Sequence, residues 1–459
     1  MRQREIVVRC DIKGERYAAV ATSLHVSERH VFRERRTALS SIVNRLLTEI
    51  PACTKPAVTV ASDAFDVRFA LGEALENGGN WQRAAEILER LAADVASLEQ
   101  RGLVEVRLAR LYRDADLFAR AYHHADLAKR LAERATIDGD SQRVEADVAL
   151  AGVAAGAGNW KHADDLAQQS IVRLRPWTDG SLGTRVPSAL AEALLLKAEL
   201  LVDNGGVEQA FNLALEACSV AGQNAVEPSV EISSRALAAL TSILLLRDTQ
   251  RSEEALWECY RAAVAAGLIR GSLIIATHLA THYRLSERPA DALRLLAPLV
   301  STARIAGTGW VQGDVLGQLV HANLQAGSLT AAAAYAAQLS ECAAGNPFTH
   351  ALVEMSRARI CLARREFAPA LAAAGAAEAV YASVGLRLYT GMTLQMQAEA
   401  LAGLGESERA QRTMSRAIDV LNETSHPRPL AGAYRVMARI TGRRQYEVAA
   451  RKLLREAAL

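Results

Sequence analysis

Alanine returns along this chain at a spacing that stacked helical hairpins account for. Starting from Ala84, the same pattern position recurs at Ala121, Ala163, Ala210, Ala255, Ala292, Ala333, Ala370, Ala410 and Ala449, in steps of 37 to 47 residues. Twelve residues before it stands a small or aliphatic residue in most copies, among them Gly72, Ala109, Ala151, Ala198, Ile243, Ala280, Ala358 and Ala398. Four and seven residues after it come pairs such as Ala125/Ala128, Ala214/Ala217, Cys259/Ala262 and Met414/Ala417. Small residues at fixed places let the two helices of a hairpin touch, and larger apolar residues fill the space between hairpins. One hairpin alone cannot bury its apolar face, so the units must stack into a solenoid. Composition agrees: 89 of 459 residues are alanine and only 5% are aromatic, which disfavours a large sheet.

The first copy carries the pattern best, with Leu71-Gly72, Leu75, Gly78-Gly79-Asn80-Trp81, Ala84 and Leu88 in order. These features resemble tetratricopeptide repeats, whose standard unit is about 34 residues. The array is similar to the longer, degenerate repeats of bacterial regulators related to the maltose activator and the peptide-sensing regulators. Every step exceeds the standard unit, and the proline that usually closes each unit is missing. In the seventh copy His321 stands where a small residue belongs. The fold expected is all-α, with a TPR-like α-solenoid over 61–459 behind a linker over 51–60 that begins at Pro51 and holds Pro56.

Ahead of the array lies a basic head. Residues 1–50 hold ten Lys/Arg against six Asp/Glu, residues 51–434 hold 36 against 43, and residues 435–459 hold seven against two. The near-neutral total of +2 therefore conceals a basic head and tail around an acidic body. Within the head, Tyr17, Val20, Ala21 and Leu24 form one apolar face at helical spacing. His25-Val26 makes a short link, Ser27 is an N-cap, and Val31, Phe32, Leu39, Ile42 and Leu46 continue a longer helix. That layout is a helix-turn-helix, so 1–50 reads as a DNA-binding domain. Opposite the apolar stripe stand Arg29, Arg33 and Arg36, a row suited to base edges in the major groove. Ser27, His30 and Arg35 are placed for phosphates. Through Val20-Ala21-x-x-Leu24-x-Val26-Ser27-x-x-x-Val31 the segment resembles LuxR-type and sigma-factor helix-turn-helices. A basic helix capping the solenoid is the competing interpretation.

Other chemistry has little support. No phosphate-binding or dinucleotide fingerprint occurs, no catalytic constellation stands out, and no cofactor is expected. Gly156-Ala-Gly-Asn159 falls at an inter-helix turn, where glycine serves the turn itself. His278 and His282 are four apart on a helix but have no neighbouring third ligand in sequence, so no metal site is expected. The six cysteines show no Cys-x-x-Cys and read as reduced core thiols. With no leader and no apolar run of about 20 residues, the chain reads as cytoplasmic and free of membrane.

The tetratricopeptide resemblance implies that the first helix of each hairpin lines a concave groove. In copies five to nine it puts Arg247, Thr277, Thr281, Arg284, Gln318, Gln325, Arg359, Gln395 and Glu399 there. Amides, hydroxyls and arginines in one groove suit a peptide or protein ligand, or an acidic one; ordinary solvated positions are the alternative. The function expected is a non-enzymatic transcription regulator that binds double-stranded DNA as a homodimer and senses a ligand through its solenoid. The alternative is a scaffold or adaptor whose basic head has no DNA target.

Overall fold

A computed structural model describes residues 17–24, 26–27, 31, 61–134, 139–177, 185–224, 226–306, 309–343 and 347–458. The chain divides into two compact units, Met1–Ala64 and Phe65–Leu459. In the first, helix Tyr17–Ser23 carries Val20 and Ala21 into a small cluster with Val31, and Leu24 and Val26 pack against it. The Val31 N–H donates to the Ser27 carbonyl at 3.1 Å, a helical i to i−4 bond that begins at the expected cap. Arg29, His30, Arg33, Arg35 and Arg36 lie outside the described residues.

All regular structure among the described residues from Ala61 onward is helical, in ten successive antiparallel pairs. The first helices of the pairs are Ala61–Asn77, Leu98–Asp114, Gly139–Gly156, Arg185–Asn204, Pro228–Leu244, Ile269–Leu285, Gly309–Gln325, Pro347–Ala363, Arg387–Gly403 and Pro427–Thr441. The second helices run from Trp81–Asp94 in the first pair to Arg444–Ala457 in the last. In the sixth pair the second helix is interrupted by a 3₁₀ turn at Ala297–Leu299, because Pro298 has no N–H to continue the ladder. None of the described helices is long and apolar enough to cross a membrane.

Small residues mark the register as expected, with corrections in three copies. Ala84, Ala121, Ala163, Ala210, Ala292, Ala370 and Ala410 are fully buried at the fourth position of their helices. In the fifth copy Ser252 occupies that place instead of Ala255, and its hydroxyl bonds Ser242 at 3.1 Å. Ala332 replaces Ala333, and the buried residue of the last helix is Ala450, not Ala449. The one-residue shift also removes the anomaly of the seventh copy. Val320 is then the packed residue and His321 turns to the other side of its helix. Cys259 and Cys361 are buried in the core, and all four described cysteines are unpaired by disulfide.

The turns between paired helices share one device. The residue two or three before each second helix of the first nine pairs has a left-handed backbone, as at Gly79, Gly158, Gly327 and Gly405. Behind it an N–H reaches back five residues, for example Glu366 N–H to the Cys361 carbonyl at 2.8 Å, closing the first helix. Asp116, Glu287 and Arg365 adopt this conformation without being glycine, with φ of 56°, 57° and 62°. The Cβ makes that strained. Arg365→Gly is therefore expected to stabilise the protein by about 0.5–1 kcal/mol, read as a higher urea midpoint. A lower midpoint would show that the Arg365 side chain contributes more than its backbone costs.

Candidate ligand lumen

The first helices of the hairpins face inward, and in the fourth, sixth and seventh hairpins four positions on each supply the inner wall. Counted back from the start of the second helix they are the fourth, eighth, eleventh and fifteenth residues, one stripe of a 3.6-residue helix. In the fourth hairpin these are Asp203, Glu199, Leu196 and Glu192; in the sixth, Leu285, Thr281, His278 and Ile274; in the seventh, Gln325, His321, Gln318 and Asp314. All twelve line one cavity of about 1350 Å³. Ordinary small-molecule pockets run from about 300 to 1,000 Å³, so the space admits an extended ligand.

The cavity is partly closed off because hairpins five apart touch. Ser425 N–H donates to the Gly205 carbonyl at 2.8 Å, and Glu208 N–H donates to the Ser425 hydroxyl at 3.0 Å. Arg387 N–H donates to Asn204 Oδ1 at 3.2 Å, and the Tyr389 hydroxyl to Asp203 Oδ1 at 3.4 Å. One pair lower, Trp160 meets Phe348 with ring centroids 5.8 Å apart. Lower again, the Asp116 carboxylate accepts from the backbone N–H groups of Gly309 and Trp310, at the start of the seventh hairpin. The turn of hairpin two thus meets hairpin seven, three meets eight, and four meets nine. Gly205 shows how close the edges come: its φ is 89°, and a Cβ there would lie 2.6 Å from the Thr424 Cβ.

Charges on the wall fall into two sets. On the first-half side most are matched. Arg107 holds Glu76 at 2.6 Å, Glu73 at 3.3 Å and Glu227 at 3.5 Å, Arg110 pairs with Glu192, and Arg113 and Arg270 share Asp114. Burial alone would lower the Arg107 pKa, but the glutamates outweigh it and hold it above its ordinary value. Glu199 and Asp203 have no cation at ion-pair distance among the described residues. Desolvation on the lumen wall raises both to about 7; on Glu199 the opposing pull of Arg113 exceeds the added push of Glu192, while on Asp203 the charges of Glu199 and Asp314 add to the rise against the Tyr389 hydroxyl. Burial holds the imidazoles of His278 at about 4 and His426 at about 3, so both are neutral near pH 7.

Eight of the nine groove residues expected from sequence line this lumen: Thr277, Thr281, Arg284, Gln318, Gln325, Arg359, Gln395 and Glu399. Arg247 does not. It sits in the turn before helix Thr249–Ala265, donates to both Glu208 oxygens at 3.1 and 2.8 Å, and lies 5.4 Å over the Phe211 ring. Thr277 is nearly inaccessible, its hydroxyl turned to the Ile274 carbonyl at 2.8 Å. Glu399 is already engaged, accepting from Gln395 at 3.1 Å and Arg439 at 3.3 Å. Trp160 and Trp310 pack and also face the lumen. His278 and His282 part company: His278 faces the lumen, while His282 Nε2 meets Glu253 Oε2 at 2.9 Å. No group of three metal-ligating side chains forms among the described residues. Sequence reasoning missed the whole first-half wall, with Arg107, Arg110, Glu192, Glu199 and Asp203, and also Asp314, His321 and Arg428. The four-position stripe was the signal that would have found most of them.

No family model matches the chain, and no curated protein does. Among solved structures, that of a Rap protein complexed with competence and sporulation factor superposes with a TM-score of 0.58. It is 11% identical, and the match covers 81% of this chain and 99% of that one. The apo form of the quorum sensor NprR from B. thuringiensis gives 0.45 at 14% identity, covering 79% of this chain and 99% of that one. A signal-transduction ATPase with a tetratricopeptide repeat sensor, from Pyrococcus horikoshii, gives 0.41 at 12% identity, covering 81% and 64%. The Rap likeness spans nearly the whole of that chain at the level of the fold. The second unit is a TPR-like α-solenoid.

Proposed function

We propose that the protein is a DNA-binding transcription regulator whose solenoid senses a peptide or small ligand held in the lumen. The observation that carries the sensing half is the cavity of about 1350 Å³ with ionisable groups on its wall that are not matched by neighbours. Such groups are costly to leave in protein surroundings unless a ligand uses them. The Rap structure, with its bound competence and sporulation factor, lends this reading support from a similar fold. The DNA-binding half rests on the sequence of residues 15–47, and the packing of Val20, Ala21 and Val31 is consistent with it.

The mechanism follows from the closure. A ligand touching both sides of the lumen changes the distance between hairpins five apart, and so the pitch of the superhelix. In a homodimer that movement alters the spacing of two heads, which must match two half-sites on the duplex. The double variant Arg33→Ala, Arg36→Ala is expected to lower affinity for genomic fragments selected by the full-length protein at least tenfold and to flatten its salt dependence. Unchanged affinity and salt slope would end the DNA-binding reading. Stable capture of one protein partner would then favour an adaptor.

A further inference from the structure

Three lumen arginines stand apart from the matched set. Arg284, Arg359 and Arg428 reach the cavity from the sixth, eighth and tenth hairpins, and no ion pair joins any of them to a carboxylate among the described residues. Arg284 Nε and Arg428 Nη1 are buried without a hydrogen-bond partner. The three share one region: Arg284 feels the charges of both Arg359 and Arg428, His321 those of Arg284 and Arg359, and His426 those of Arg428 and Arg284. His426 is itself only 6% exposed, and its Nδ1 also has no partner. Among the described residues, the one carboxyl that bears on Arg284 is Asp314, whose pKa protein burial raises above its ordinary value.

Elsewhere in the same lumen the fold supplies a carboxylate for each arginine, as with Arg107, Arg110, Arg270 and Arg439. Here it gathers three guanidinium groups, surrounds them with neutral imidazoles and supplies no ion-pair partner among the described residues. Protein enclosure, and for Arg284 also its like-charged neighbours, weakens the hold of Arg284 and Arg359 on their protons, to about 10 in each case. Crowded cations without partners destabilise the empty protein and strengthen its attraction for an anion. Guanidinium forks match carboxylate and phosphate oxygens in pairs. Against three positive charges stands at most one negative charge, that of Asp314, so neutrality needs at least two more.

We infer that Arg284, Arg359 and Arg428 form the anchoring subsite for an anionic group bearing at least two negative charges, carboxylate or phosphate, on the ligand that fills the lumen. The subsite deepens the sensing reading and rests on it for what binding accomplishes, though not for binding itself.

The probes are citrate for the carboxylate arm and inorganic pyrophosphate for the phosphate arm, added to the full-length protein at ionic strength matched with sodium chloride. At least one is expected to raise the melting temperature saturably, and titration calorimetry is expected to give an affinity that falls at least tenfold in both Arg284→Gln and Arg359→Gln. Without anion, each variant is expected to melt no lower than the parent, and by about 1–2 °C higher, because an unmatched charge has been removed. A structural arginine would behave the opposite way. The inference is overturned if neither anion exceeds chloride, if both variants keep full affinity, or if both melt lower without anion. Anion binding with no DNA binding by the head would defeat the regulator reading alone; DNA binding with no anion binding would defeat this subsite alone.

Discussion

Replacing Arg107 with alanine is expected to cost about 3 kcal/mol at pH 7 and to loosen the first two hairpins before the rest of the array. The guanidinium is 9% exposed and joins three hairpins, donating to Glu76 on the first and reaching Glu73 there and Glu227 at the entry to the fifth. Removing it leaves three carboxylates without their shared cation, Glu76 and Glu227 of them on the lumen wall. Breaking a buried pair by deleting one partner usually costs about 3–5 kcal/mol, and the lower end applies because Glu227 is 44% exposed. The pH dependence identifies the cause. Burial would raise the Glu227 pKa, but Arg107 and Arg110 outweigh it and hold it below its ordinary 4.5. Its stabilising contribution is thus present above about pH 4.5 and lost as pH falls through the lower folded value. In the variant the freed carboxylates take up protons more easily, so the deficit should shrink from pH 8 to pH 5. Arg107→Lys should recover only part of the loss, since an ammonium cannot fork between acids on different helices. Hydrogen exchange resolved by hairpin is the proper readout, because repeat arrays open unevenly. A loss below about 1 kcal/mol, or one spread equally over all ten hairpins, would contradict the assignment.

The architecture could be read from the sequence because it is written locally. A hairpin needs small residues where its helices touch, and those contacts lie within about twelve residues of each other, so Gly72, Ala84, Ala109 and Ala121 announce them directly. Two of the three register slips have a local cause as well. Ala331 to Ala334 offer four equivalent candidates in a row, and in the fifth copy a serine small enough for the contact takes the place. The site was legible only in part. Groove positions in copies five to nine could be found by repeat register, which is why eight of nine line the lumen. What decides the chemistry is which charges stay unmatched, and that depends on contacts between hairpins far apart in sequence. Arg110 and Glu192 lie 82 residues apart, and Ser425 and Gly205 lie 220 apart. No periodicity connects such residues. Arg284 and Arg110 therefore look alike in the sequence, and only the fold shows that one has a carboxylate and the other has none.

At pH 8, Asp203→Asn is expected to stabilise the protein by about 2 kcal/mol, with the gain declining through pH 7 and vanishing near pH 4. Asp203 lies on the lumen wall at the contact between hairpins four and nine. Burial, then the charges of Glu199 and Asp314, raise its pKa from 3.8 to about 7 against the pull of the Tyr389 hydroxyl. The folded protein therefore holds a proton that the unfolded chain has released over the window from about pH 4 to pH 7. Stability falls as pH rises through that window, and the full penalty is present above the folded value. Taken at face value the shift is about 4 kcal/mol at about 1.4 kcal/mol per unit; coupling to Glu199 and access of lumen water reduce it by roughly half. Asparagine has no charge to desolvate, and its carbonyl can still accept from Tyr389, so the closure contact survives. His278 and His426 act in the opposite sense. Both are held below 6.5 by burial, so their neutral state costs stability as pH falls below the unfolded value. The parent profile alone mixes the two trends. The difference between parent and variant unfolding midpoints at each pH cancels the histidines and isolates Asp203. A gain that does not change between pH 5 and pH 8 would mean that the asparagine side chain acts by packing. No gain at pH 8 would mean that lumen water already solvates the carboxylate.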